Sequence, residues 1–264
     1  VFSCMLAFSS LLGNVEGQNI YRIWYDKPAS YWEEALPVGN GRIAAMVFGD
    51  PQLEQIQLNE ETVSAGSPYQ NYNEEAKTAL PEMRRLIFEG KYEEAQNMAA
   101  TKILSQVGNE MPYQTVGRLN IRYQDHKKVN NYYRDLDISN AVAVTRYEVD
   151  GVEFTEETFA SFTDQLVIRH IKASKPGTIN CELFFNTPMR DPKRSIYGKK
   201  GLRLEGITHG SRYFPGKVHY CADLDVKHKG GKVITANDTL LSVQGASELT
   251  LYISMATNFV NYKD

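Results

Sequence analysis

Two runs of alternating polar and apolar residues, Ala141-Val-Ala-Val-Thr-Arg-Tyr-Glu-Val149 and Val152-Glu-Phe-Thr-Glu-Glu-Thr-Phe159, meet at Asp150-Gly151. A period of two belongs to an extended strand with one buried face, and no helix can present it. An Asp-Gly pair between such runs predicts a two-residue turn, because both turn positions need positive φ. The same alternation recurs over residues 55–59, 117–123, 133–137, 165–171, 178–186, 218–227, 232–235 and 249–256, with Gly230-Gly231 as another tight turn. Sixteen Tyr and eleven Phe suit strands. With 42% apolar residues, the 264-residue chain can fill a large core. Strand after strand without intervening helices predicts a mainly β fold, a large antiparallel β-sandwich.

One segment breaks the pattern, a small helical insertion around residues 73–104. Asn73 can cap a short helix over 74–79, and Pro81 fits the first turn of a second over 82–89. Gly90 ends that helix. Residues 91–104 then predict a third, with Tyr92, Ala95, Met98 and Ala99 on one face.

The first residues follow another logic. Val1-Phe-Ser-Cys-Met-Leu-Ala-Phe-Ser-Ser-Leu-Leu12 is apolar and uncharged, and Val15 and Gly17 occupy the small-residue positions of a cleavage site. Residues 1–17 therefore read as the remnant of a secretory signal, too short to span a bilayer. Export to a periplasmic or extracellular location is the expectation. There Cys181 and Cys221 are free to pair or to stay as buried thiols on neighbouring strands. Asn237-Asp-Thr239 is a formal glycosylation sequon in an exported chain.

Leu36-Pro-Val-Gly-Asn-Gly-Arg-Ile-Ala-Ala-Met-Val-Phe-Gly-Asp50 contains G-x-G-x-x-A, the spacing of a dinucleotide fingerprint. That site needs a buried strand before the first glycine and a helix after the last residue. Here Met46-Val-Phe runs into Gly49-Asp-Pro51 within one helical turn, so no helix follows. Gly39-Asn-Gly41 is read instead as a tight turn that presents Asn40 and Arg42.

Other chemistry is weakly marked. The pairs Glu33/Glu34, Glu60/Glu61 and Glu156/Glu157 are adjacent acids, which point to opposite faces of a strand; Asp135 and Asp137 share one. Most are read as solvated strand edges rather than the paired acids of glycoside hydrolysis. The five histidines are scattered without metal spacing, and His126 and His228 lie among lysines, which suggests solvent. No G-x-S-x-G elbow occurs. With 29 basic against 32 acidic residues, no electrostatic case for nucleic acid exists.

A set of ordered blocks carries a resemblance. Trp24-Tyr-Asp-Lys-Pro-Ala29, Trp32 to Arg42, Leu58-Asn-Glu-Glu-Thr62 and Leu80-Pro-Glu-Met-Arg-Arg-Leu86 resemble the amino-terminal domain of glycoside hydrolase family 95. So do Pro112-Tyr-Gln114, Gly117 to Leu119, Tyr133-Arg-Asp-Leu-Asp137 and Thr257-Asn-Phe-Val-Asn-Tyr-Lys-Asp264. Val63-Ser-Ala65 stands where family members tend to carry a Trp.

The resemblance implies a super-sandwich over residues 18–264. It also implies an α-L-fucosidase-like enzyme acting on fucosylated or L-galactosylated glycans by inversion, without metal or organic cofactor. Its catalytic residues would belong to an (α/α)6 barrel beyond residue 264, so none is assigned here. Asn40, Arg42, Asn59, Glu60, Tyr113 and Gln114 are the candidates for facing that barrel or the sugar pocket, and bonding within the domain's own turns is the alternative for each. Two rival readings stand beside it. One is a stand-alone carbohydrate-binding module with an aromatic row among Tyr69, Tyr72, Tyr132 and Tyr133. The other is a phosphorylase-type enzyme.

Overall fold

The structure is a computed structural model that describes residues 21–64, 66, 70–105, 112–189, 191–210, 215–261 and 263. The expected signal segment and Tyr69 lie outside the described residues. In chain order the strands are β1 (Arg22–Tyr25), β2 (Leu36–Gly39), β3 (Ile43–Val47), β4 (Leu53–Glu60), β5 (Gly117–Tyr123) and β6 (Val129–Asp137). They continue as β7 (Val142–Val149), β8 (Val152–Ser161), β9 (Leu166–Ala173), β10 (Ile179–Asn186) and β11 (Lys193–Tyr197). The last five are β12 (Gly201–Ile207), β13 (His219–Lys229), β14 (Lys232–Asn237), β15 (Leu240–Ala246) and β16 (Glu248–Thr257). They form a nine-stranded sheet, β1-β6-β7-β8-β9-β16-β13-β12-β11, and a seven-stranded sheet, β14-β15-β10-β5-β4-β3-β2. Every strand pair is antiparallel.

The expected sandwich is present, and alternation builds its core. Ile56 and Leu58 of β4, Leu119 and Ile121 of β5, and Leu183 of β10 are fully buried from one sheet. Ile171 of β9, Leu224 of β13 and Leu249, Leu251 and Ile253 of β16 meet them from the other, in one continuous cluster. The hairpin at Asp150-Gly151 has φ of 50° and 75° at its two turn residues, and Val149 pairs with Val152.

Several expectations change. Gly230-Gly231 is a tight turn with φ of 70° and 62°, but it does not join hairpin partners. β13 pairs with β16 in one sheet and β14 with β15 in the other, so the turn carries the chain across the sandwich. A Cβ on Gly231 would stand 2.2 Å from the Gln244 carbonyl oxygen. β11, β12 and β15 escaped the sequence reading, because glycines and lysines interrupt their alternation.

The two helices expected before Gly90 are one, α1 (Ala76–Phe88), with Pro81 inside it. Ala79 and Leu86 share its buried side, so packing outweighs the single hydrogen bond that Pro81 removes. Asn73 Oδ1 accepts the Glu75 N–H at 3.0 Å in the turn before the helix, but the residue at the N-cap is Glu75, so Asn73 does not provide the expected cap of α1. The third helix, α2 (Tyr92–Met98), passes into a wider turn over Ala99–Ile103. Only Ala95 of its expected face is buried, while Tyr92 is largely exposed.

Of the acids read mostly as solvated edges, half are buried: Glu60, Asp135, Asp137 and Glu156 all fall below one-tenth exposure. His126 is also buried, stacked on Tyr123 at 4.2 Å, since the lysines beside it point out of the turn that places its ring inward. Cys181 on β10 and Cys221 on β13 lie in different sheets as free thiols, one buried and one partly exposed. Among the described residues, no helix is long and apolar enough to cross a membrane.

Candidate functional site

The hairpin of β2 and β3 is closed by Asn40. Its side-chain oxygen accepts the Arg42 and Ile43 N–H groups at 3.1 and 3.0 Å, and Gly41 takes φ 96° between them. This short turn needs glycine, and the strand β3 follows it where a dinucleotide site would need a helix. The Asn40 amide also donates to the Ser161 carbonyl at 2.9 Å, bridging the two sheets.

Arg42 extends the bridge. Its Nε donates to Gln165 Oε1 at 2.9 Å, one terminal nitrogen to Glu60 Oε1 at 3.3 Å, and the other to the Met255 carbonyl at 3.1 Å. Glu60 is 3% exposed and uses its second oxygen to accept the Thr62 N–H at 2.8 Å and the Thr62 hydroxyl at 2.6 Å. The Thr62 hydroxyl in turn meets that of Thr257. Both Glu60 oxygens thus accept internal hydrogen bonds, and this buried acid holds the turn in place.

Tyr113 and Gln114 stand beside this group. The Tyr113 hydroxyl donates to the Glu60 carbonyl at 3.2 Å, while the ring stays 55% exposed. Partial burial, then Glu60 and Glu61, raise its phenol above the ordinary range. The Gln114 side chain forms a two-point clamp on His209, donating to its carbonyl and accepting its N–H, both at 2.8 Å. The His209 ring contacts the Pro188 carbonyl at 3.0 Å.

His209 and Thr257 belong to the walls of an open cleft of about 890 Å³, which also presents Asp191, Lys193, Glu205, His219 and Asn258. Thr208 on the same wall has a buried hydroxyl without a hydrogen-bond partner among the described residues. The cleft offers carboxylates, imidazoles, an amine and an amide, a set that hydrogen-bonds a polyol well. Among the described residues, no three His, Cys, Asp or Glu side chains are grouped to hold a metal ion.

The structure therefore gathers Asn40, Arg42, Glu60, Tyr113 and Gln114 at one end of the sandwich. Asn59 is not with them, because alternation along β4 turns it to the face opposite Glu60. Thr62, Gln165, His209 and Thr257 complete the group, and sequence spacing gave no sign of them. Thr62 and Thr257 do lie within blocks that carried the family resemblance.

A second ionic assembly is sealed in the core. Arg169 is fully buried and donates to Thr158 Oγ1 at 2.7 Å, to Glu54 Oε2 at 3.0 Å and to Glu156 Oε2. Glu156 Oε1 accepts the Tyr123 and Tyr147 hydroxyls, each at 2.6 Å. Glu54 Oε1 accepts the Phe48 and Gly49 N–H groups at 3.1 and 3.0 Å. Burial dominates its titration: opposed by Arg169 and assisted by Glu156, it pushes the Glu54 carboxyl up to about 7.

A two-sheet antiparallel sandwich has no parallel strand leading into a helix, so it is not a dinucleotide-binding fold. The chain belongs to the family described as "Glycosyl hydrolase family 65, N-terminal domain", whose model matches residues 23–262. It is 31% identical to "Alpha-L-fucosidase 2" of Arabidopsis thaliana, over 93% of this chain and 31% of that protein. "Probable alpha-fucosidase A" of Aspergillus niger is 26% identical, over 90% of this chain and 30% of its own length. Its counterpart of the same name in Aspergillus oryzae is 25% identical, over 94% and 35%. The chain thus spans about a third of the length of the curated relatives it matches. The resemblance seen in the sequence blocks, to the amino-terminal domain of α-L-fucosidase-like glycoside hydrolases, holds.

Proposed function

We propose that the chain is the amino-terminal, non-catalytic part of an exported α-L-fucosidase-like glycoside hydrolase. Its partner is its own downstream catalytic barrel, and the whole enzyme acts on fucosylated or L-galactosylated glycans with inversion. The observation that carries this reading is the match of nearly the whole chain to an amino-terminal glycosidase domain and to one third of proteins named as α-fucosidases. Local chemistry agrees with it: Glu54, Glu60 and Glu156 have their oxygens committed to internal donors. On this reading, the cross-sheet bonds of Arg42 and the Gln114 clamp fix the cleft wall against which the barrel and its sugar are set. An inverting barrel would hold its two carboxyl groups roughly 6.5–9.5 Å apart to admit a water.

The test compares hydrolysis of a small fucoside by the 264-residue chain and by the protein extended through its downstream region. Turnover is expected only from the longer protein, and turnover by the shorter one overturns the proposal. Export is tested separately by sequencing the amino terminus of the mature protein, which should begin near Gln18.

A further inference from the structure

Among the described residues, β1 is an edge strand of the nine-stranded sheet. Its register with β6 sets Trp24 opposite Asp135 and Arg22 opposite Asp137, and β6 sets Tyr133 opposite Arg146 of β7. Opposed residues share a face, so these six side chains stand together on the outer surface of the sheet. Trp24 is 61% exposed. Its ring lies within 21° of parallel to that of Tyr133, with centroids 6.2 Å apart, so the exposed indole is braced rather than loose.

Charge beside the rings is balanced. Arg22 bonds Asp135 and Asp137, each at 3.3 Å, and Arg146 lies 4.0 Å from Asp135. Two guanidinium groups thus offset two carboxylates, and an ionic ligand gains little. The side chain of Arg146 is about half exposed, that of Arg22 about a third. Asp135 is buried under this group, so a ligand meets the exposed side chains instead. A hydroxyl arriving here, both donor and acceptor, meets a donor in Arg146 and an acceptor in Glu148. A hollow of about 350 Å³ adjoins Tyr133 and Arg146, edged by Asn131, Glu148 and Thr155.

A flat exposed ring, charges of both signs held in ion pairs, and a neighbouring donor and acceptor together fit a pyranose, which has a C–H face and a rim of hydroxyls. A protein partner would call for a broader apolar patch, whereas the positions around this pair are arginine, glutamate and threonine. We propose that this edge of the nine-stranded sheet binds the pyranose rings of a neutral oligosaccharide. Trp24 stacks on one sugar face, and Arg22 and Arg146 donate to its hydroxyls. The loop-end cleft lies toward the opposite edge, at β11 to β13, so the inference goes beyond the function proposed above and stands whether or not that reading holds.

The experiment is retardation of the whole chain in native gels containing fucosylated xyloglucan, a neutral polysaccharide, or polygalacturonate, a charged one. Tryptophan emission is followed during titration with oligosaccharides cut from the former. The protein should be retarded by xyloglucan and not by polygalacturonate. Trp24→Ala should weaken that binding roughly tenfold or more, as loss of a central aromatic anchor does. Trp24→Phe should retain part of the binding but lose the emission change, because Trp32 is the other tryptophan. Arg146→Ala, at an exposed side chain, gives a second reading if Trp24→Ala does not fold. Absence of retardation in the neutral gel, or equal retardation of wild type, Trp24→Ala and Arg146→Ala, overturns the proposal. So does a change from dimer to monomer on Trp24→Ala in light scattering, which would make this face a protein interface.

Discussion

Two arginines join the sheets of this sandwich, and their settings differ. Arg169 is sealed, with two carboxylates and a threonine around it and no exposure to solvent. Arg42 lies at the loop end, about a third exposed, with one carboxylate, one amide and one backbone carbonyl. In the sealed site, removing a partner strands a charge in low dielectric, whereas at the loop end water can replace a lost partner. The first arrangement governs whether the domain folds. The second governs how firmly the cleft end is held.

The largest effect should come from Arg169→Met, which leaves Glu54 and Glu156 facing each other without a cation. A loss of about 3–5 kcal/mol is expected from urea unfolding, with little soluble protein recovered. Next is the pH dependence of the sealed site. The folded Glu54 carboxyl, at about 7, lies above its ordinary value of 4.5, so the fold favours the neutral form. That contribution is complete below about 4.5 and is lost as the pH rises through about 7. Urea midpoints should therefore fall across this window, and Glu54→Gln should flatten the decline. An unchanged slope in Glu54→Gln would show that another group carries it.

At the loop end the numbers shrink. Arg42→Ala removes three hydrogen bonds in a half-open setting and should cost about 1–2 kcal/mol by thermal or urea unfolding, without the pH signature of the core. If Arg42→Ala proves as damaging as Arg169→Met, the contrast between sealed and open sites fails. Tyr113→Phe removes only the bond to the Glu60 carbonyl, and a change of about 0.5 kcal/mol or less is expected. An effect well above that would mean that the exposed ring is held by its hydroxyl.

Much of this architecture is legible in the alternation. The Asp150-Gly151 hairpin, the central strands and the absence of a helix after Ala44 all follow from residue types at a period of two. The sealed cluster leaves a trace in the alternation, although only Glu156 of it is singled out there, as a solvated edge. Glu54 is in phase with Ile56 and Leu58, Glu156 with Phe154, and Arg169 with Val167 and Ile171. Phase alone puts these charges inside. What it cannot supply is the partner, because Glu54 and Arg169 are 115 positions apart and meet only across the two sheets. Similarly, Asn40, Arg42 and Glu60 stand out as polar residues near a turn, but Gln165, His209 and Thr257 become their neighbours through strand order.

The sequence by itself therefore determined which faces are apolar, where the chain turns, and what family the domain belongs to, because these depend on local periodicity and on contiguous blocks. Tertiary structure alone decided which acids are sealed and which end is open, and that Trp24 rests on Tyr133 at a sheet edge. The reason is that a strand's register assigns its neighbours from distant parts of the chain, and both the cost of a charge and the use of an exposed ring depend on those neighbours.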